Sequence, residues 1–208
     1  MSEITAITPQ VKDKGRCNIY VDGRFFCGLT LETAVKNRLK VGQTVDPARF
    51  AEMQLESEKQ TALDKAMTHV TACAKTEKQL RDFLAKKGFL QPVIEYVLER
   101  MRDYNFVNDR EYAEEYIAFA AKKKGGRLIR MELRAKGISD EDAAGALEGL
   151  DEESQTDAAK QLLEKYLRGK DISDRSVQQK AYRHLVSKGF SHEAIKDALR
   201  GIVELEDY

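Results

Sequence analysis

The stretch KKKGGRLIRMELRAKG concentrates positive charge, and its spacing points to binding rather than bond-making chemistry. Arg127, Arg130 and Arg134 stand at i, i+3 and i+7, so a helix there carries all three guanidinium groups on one face. Ile129 and Leu133 then fall on the opposite face, toward a core. Lys122, Lys123 and Lys124 close the segment before it, which gathers up to six positive charges around one corner between helices. Guanidinium forks on a rigid face grip phosphate oxygens or carboxylates in pairs. The same residues equally suit a solvated face whose lysines satisfy a helix C-terminus.

Residues for covalent or acid–base chemistry are sparse. The three histidines, His69, His184 and His192, lie beside no serine or cysteine in a nucleophile motif. There is no GxxxxGK[ST] loop and no GxGxxG after a strand. Gly125-Gly126 reads simply as a helix break. His69 and Cys73 sit one helical turn apart, but no second ligand pair completes a zinc tetrad. Cys73 is expected to be a core thiol beside a surface or boundary histidine. Cys17, Cys27 and Cys73 are odd in number and lack CxxC spacing, as in a reducing compartment. A non-enzymatic protein without cofactor or metal is expected.

Composition bounds the rest. Charged residues are 34% and hydrophobic ones 42%, with 3 prolines and no tryptophan, which favours helix. No apolar run approaches the roughly 18 residues of a membrane span. MSEITAITPQVKDKG lacks a basic region followed by an apolar stretch, so no secretory signal is read there. A cytoplasmic protein with no membrane association is expected. The formal net charge is zero, 35 basic against 35 acidic residues, whereas proteins that coat phosphate backbone are usually basic. Nucleic-acid contact must therefore run through a local patch or through another protein.

The elements that position the arginines recur. Lys-Gly-apolar appears at Lys87-Gly88-Phe89, Lys136-Gly137-Ile138 and Lys188-Gly189-Phe190. Glycine in the left-handed conformation closes a helix, and the next apolar residue folds back on it. A stripe at i, i+3, i+4, i+7 follows each copy: Ile94, Val97, Leu98 and Met101; Ala143, Ala146, Leu147 and Leu150; Ile195, Ala198, Leu199 and Ile202. The helix before each glycine has Leu80 and Leu84, Ile129 and Leu133, or Ala181 and Leu185. One more amphipathic helix precedes each. Thr76 with Gln79, and Asn108 with Glu111, form capping boxes; Ser139 and Ser191 cap later helices, and Pro92 suits a first turn. Tyr104, Phe106, Tyr112, Tyr116 and Phe119 are expected in the core rather than as stacking platforms for bases.

The front of the chain differs. Cys17–Val21 and Arg24–Cys27 flank Asp22-Gly23, a type I′ hairpin signal, and the hairpin needs a partner strand near Ile4–Val11 or a helix. Thr30 offers a cap to a short helix that ends near Leu39, with Gly42 at its exit. Asp46-Pro47 starts another helix. The polar stretch Glu56–Thr61 reads as an exposed helical spacer. The expected fold is mainly α: a tandem, curved array of three three-helix repeats with a small N-terminal β-hairpin element. The expected segments are 1–61 for the hairpin plus helix, then repeats at 62–110, 111–150 and 151–208. Polar outer faces on the end helices favour a monomer.

LRDFLAKKGF, VIEYVLERMRDYNFVNDREYAEEYI and KKKGGRLIRMELRAKGI together resemble the RecX regulatory proteins of bacteria. In that family a helix closing on Lys-Gly-apolar is followed by another helix and an apolar turn into Asp-Asp-x-x-Phe/Tyr-Ala. A basic stretch with Gly, an Ile-x-x-x-Leu helix and a second Lys-Gly-Ile come next. Asn108, Asp109, Tyr112 and Ala113 take the acidic–aromatic places. Gly126, Ile129, Leu133, Lys136, Gly137 and Ile138 take the later ones. Asn108 departs from the family's Asp, but either residue caps a helix. The match is dense over residues 62–140 and thinner over 141–208. The hairpin and Leu39-x-x-Gly42-Gln43 look like the N-terminal extension of some members.

The resemblance implies a non-enzymatic modulator of the RecA recombinase. Such proteins lie in the helical groove of the RecA–DNA filament and limit its ATP hydrolysis, strand exchange and coprotease activity. The implied partners are the RecA filament and, mainly through it, DNA. The contact residues Lys122, Lys123, Lys124, Arg127, Arg130 and Arg134 come from the charge pattern and not from the family motif. The competing expectation is a stand-alone nucleic-acid-binding helical protein that competes for single-stranded DNA, with tight DNA binding and steep salt dependence.

Overall fold

Asp22 and Gly23 both take positive φ, 48° and 77°, and close the turn between β2 (Arg16–Val21) and β3 (Arg24–Thr30). The two strands pair antiparallel from Arg16↔Thr30 to Val21↔Arg24. β1 (Ile4–Pro9) pairs with the other edge of β2, which gives the order β1-β2-β3. This computed structural model describes residues 2–11 and 13–206, with side chains through residue 202 at the C-terminal end. One face of the sheet buries Ile4, Cys17, Ile19, Val21, Cys27 and Leu29. That alternation is what a half-covered strand requires.

Thr30 accepts a hydrogen bond from the Thr33 amide and caps α1 (Leu31–Lys36). Gly42, at φ 90°, turns the chain toward Asp46, whose carboxylate caps α2 (Pro47–Ala72). The helix runs unbroken for 26 residues and enters two cores. Phe50 and Met53 pack under the sheet. Ala62, Ala66 and Val70 pack with α3 (Glu77–Lys86) and α4 (Gln91–Asp103). The polar stretch between them is not the exposed spacer its composition suggested. Ser57 is fully buried, and its hydroxyl accepts the Thr30 amide at 2.7 Å. A small hydroxyl is what lets a polar residue sit there: it satisfies a buried donor that would otherwise be stranded. His69, one turn before Cys73, stacks flat on Phe83 at 3.9 Å. Cys73 is exposed and not a core thiol.

The chain forms two compact units. The first is Met1–Ala74 with Leu80–Val107; the second is Lys75–Gln79 with Asn108–Tyr208. The second unit contains α5 (Asp109–Ala120), α6 (Gly126–Ala135), α7 (Asp140–Leu147), α8 (Glu152–Leu167), α9 (Arg175–Ser187) and α10 (His192–Glu206). One core holds Ala113, Ile117, Ile129, Leu133 and Ile138; another holds Ala159, Leu163, Ala181, Leu185 and Ile195. The expected caps form: Thr76 and Gln79 bond reciprocally, Asn108 accepts from the Glu111 amide, Ser139 from Asp142, and Ser191 from Ala194. The apolar stripes are unequal. Ile94, Val97, Leu98 and Met101 are all buried, but of the second copy only Ala143 is. α7 ends at Leu147, so Leu150 lies past the helix, and both are half-buried.

The Lys-Gly-apolar phrase works at two ranges. Locally, Gly88, Gly137 and Gly189 take φ 86°, 94° and 85°. The amides of Phe89, Ile138 and Phe190 reach back to the carbonyls of Leu84, Leu133 and Leu185, which is the Schellman closure. Within the second unit two copies also serve as joints. The Thr76 hydroxyl donates to the Lys136 carbonyl at 2.7 Å, and Lys78 packs over Gly137. The Gly125 amide donates to the Lys188 carbonyl at 2.9 Å, and the Arg127 amide to the Gly189 carbonyl at 3.2 Å. A Cβ on Gly125 would lie 2.2 Å from the Gly189 oxygen, so this approach needs glycine on both sides. Gly125-Gly126 is therefore more than a helix break.

Replacement of these glycines by alanine orders their two roles. Gly88→Ala meets open space and should cost only the left-handed strain of about 1–2 kcal/mol. Gly189→Ala adds a clash at 2.3 Å with the Leu128 amide nitrogen and should cost roughly 1–3 kcal/mol more. Urea unfolding of each variant measures the difference; equal costs would mean that the joint tolerates separation.

Candidate functional site

The basic corner is less open than its sequence suggests. α6 does carry Arg127, Arg130 and Arg134 on its exposed face, with Ile129 and Leu133 fully buried behind them. Two of the six candidate cations are already engaged. Lys124 donates to both Glu132 oxygens, at 2.6 and 2.7 Å, and the Tyr116 hydroxyl donates to Glu132 at 2.7 Å. Arg134 pairs with Asp140 at 2.7 Å on the surface. Lys122 and Lys123 are exposed in the turn after α5. Arg127 and Arg130 are exposed and form no ion pair with any described residue. Of the three arginines on the exposed face of α6, these two are free for a partner.

They open onto a cleft of 820 Å³ in the second unit, bounded by α6, α8 and α10. Leu147, Leu150, Phe190 and Ala194 give it an apolar floor. The floor exists because the short α7 leaves Leu147 and Leu150 incompletely covered. Glu152, Glu153, Asp157 and Lys160 of α8, with Glu193 and Asp197 of α10, add charge of both signs, mostly acidic, to the lining. Read from sequence, Glu152, Glu153 and Glu193 are first-turn residues that answer helix dipoles, and Asp157 and Asp197 are solvated helix-face residues. Their meeting in one cleft with two arginines depends on the Gly125–Gly189 joint, and that is why sequence reading missed them.

Gln155 is a second residue with no prior signal. Its Oε1 accepts the Gly126 amide at 3.0 Å, which fixes the carboxamide, and its Nε2 is buried without an acceptor. The aromatic residues expected in the core divide. Tyr112 and Tyr116 pack against the core of the second unit. Tyr104, Phe106 and Phe119 are instead exposed, 65%, 45% and 73%. Tyr104 and Phe106 lie in the turn that ends α4, where their helical spacing no longer applies; Phe119 occupies the solvent side of α5. Arg100 lies over the rings of Tyr96 and Tyr104. Among the described residues no group of three metal-ligating side chains is present, and no helix is long and apolar enough to cross a membrane.

Four family profiles match the chain in order. Regulatory protein RecX N-terminal domain covers residues 2–46; the first, second and third RecX three-helix domains cover 62–101, 108–147 and 152–199. The chain belongs to the RecX family. A regulatory protein RecX of Clostridium perfringens is 32% identical over 99% of both chains. One from Bacillus subtilis is 34% identical over 96% of this chain and 76% of its own. A crystal structure of regulatory protein RecX superposes with a TM-score of 0.70 at 28% identity, covering 95% of this chain and all of the other. RecX from Lactobacillus salivarius gives 0.63 at 25% identity, over 69% and 96%. Mostly helical, with three RecX three-helix domains and a small N-terminal sheet, the chain has the fold class its repeats predicted.

Within this RecX chain the Lys124–Glu132–Tyr116 cluster is structural, and its pH dependence follows from its contacts. Burial pushes the Glu132 carboxyl up, but hydrogen bonds from Lys124 and Tyr116 outweigh it and hold the group below the usual carboxylate range. A depressed folded-state pKa gives stability that is present above the unfolded value, about 4.3, and is lost as pH falls through the folded one. Glu132→Gln should cost about 1 kcal/mol at pH 7. The gap between variant and wild type should start to close as pH falls below about 4.3 and vanish once pH is below the lowered folded-state value. Urea midpoints across that range test this; a constant gap at all pH values would rule out an ionic origin.

Proposed function

We propose that this chain is a non-enzymatic, cytoplasmic regulator that binds the RecA–DNA filament in its helical groove. There it inhibits ATP hydrolysis, strand exchange and coprotease activity. It acts as a monomer and meets DNA mainly through the filament. Membership of the RecX family across four consecutive domains supports this reading. The observation that carries the site is the contrast on α6. Arg134 and Lys124 are internally paired, while Arg127 and Arg130 stand open at the mouth of a cleft. Lys122 and Lys123 add unpaired charge from the preceding turn. Two unpaired guanidinium groups side by side at a cleft mouth on a neutral protein suit a local contact and not the coating of a backbone.

ATP hydrolysis by RecA on single-stranded DNA, followed as this protein is added, tests the proposal. Inhibition should appear well below DNA saturation. An Arg127→Ala/Arg130→Ala variant should need about tenfold more protein, the equivalent of roughly 1.4 kcal/mol. Arg134→Ala should change little. No effect until the protein covers the DNA would favour competition for single strands. No effect at any concentration would sink the regulator reading.

A further inference from the structure

We propose that the cleft bounded by α6, α8 and α10 seats a polypeptide segment with an apolar anchor and charges of both signs, and not a phosphodiester. This rests on the filament reading and specifies what Arg127 and Arg130 meet: protein rather than DNA.

The lining carries the argument. Two free guanidinium groups share one cleft with carboxylates from the first turns of α8 and α10. A phosphate chain drawn in by the arginines would bring its own charge among those acids, an unfavourable meeting of like charges. A protein segment with an acidic residue toward α6 and a basic residue toward α8 and α10 matches both sides. The floor agrees. The half-buried Leu147 and Leu150 offer apolar surface, which a sugar–phosphate backbone does not use and a hydrophobic side chain does.

Asp157 and Asp197 already pair with Lys160 and Arg200 of their own helices, at 3.9 and 3.8 Å. Arg127 and Arg130 on one side, and Glu152, Glu153 and Glu193 on the other, form no ion pair with a described residue. These unpaired charges of both signs are left for an occupant and fix its direction.

Opposite charge reversals separate the two occupants. Arg127→Glu/Arg130→Glu and Glu153→Lys/Glu193→Lys change only exposed residues. Each folded variant is assayed for inhibition of RecA ATP hydrolysis and, separately, for affinity to an oligo-dT strand. A protein segment predicts that both reversals weaken inhibition, tenfold or more. Oligo-dT affinity of the lysine variant should then stay the same or rise. Inhibition by the lysine variant that strengthens together with its oligo-dT affinity would assign the cleft to phosphate and overturn the proposal. Unchanged inhibition would also overturn it, since the acidic side would then touch nothing. If wild type itself fails to inhibit, the filament reading falls and takes this proposal with it. The wild-type control thus tells the two failures apart.

Discussion

The contact between Gly125 and Gly189 is the constraint on which the second unit's surface depends. Two backbones approach so closely that neither residue can carry a side chain. Amides at the start of α6 use carbonyls at the end of α9 as acceptors. A helix start needs partners for its first N–H groups, and this one takes them from two places: the Lys188-Gly189 turn and the Gln155 carboxamide. The position of α6 against α8 and α10 follows. So do the placement of Arg127 and Arg130 at the cleft mouth and the fixed carboxamide of Gln155.

The same economy runs through the repeats. A short phrase ends a helix and then offers its carbonyls to another helix start, so local geometry and long-range packing use the same atoms. The third copy breaks the series on one side. Twelve residues before Gly88 and Gly137 stand Thr76 and Gly125, each at a helix start. The matching position before Gly189 is Val177, already inside α9, with its amide bonded to Asp174. One more turn of helix occupies the position that the two earlier copies use as a joint.

Much of this was legible in the sequence. The hairpin, its third strand, nearly every cap and the repeated core positions follow from turn chemistry and periodicity, because local interactions decide them. The failures share a different origin. Ser57 looked like a spacer because its partner amide lies far away in sequence, on Thr30. Lys124 and Arg134 looked free because Glu132 and Asp140 meet them only when α5, α6 and α7 are packed. The exposed aromatics looked like core because apolar character was judged without the helix ends that turn Tyr104 and Phe106 outward. In the candidate site, the arginine face could be read from i, i+3, i+7 spacing. The acids of α8 and α10 could not, since no local pattern says which first turns will share a cleft.

α2 has a consequence of its own. A single rigid rod carries Phe50 and Met53 into one core and Ala62, Ala66 and Val70 into another. Each residue added to an α-helix rotates everything after it by about 100°. One insertion between Ser57 and Ala62 would swing the second set of side chains out of phase with the first, and neither core has another face of the helix to accept. Seven residues restore the phase to within about 20°. The stretch is thus a gear with a fixed tooth count: tolerant of changed residue types along its solvent side, intolerant of a changed number.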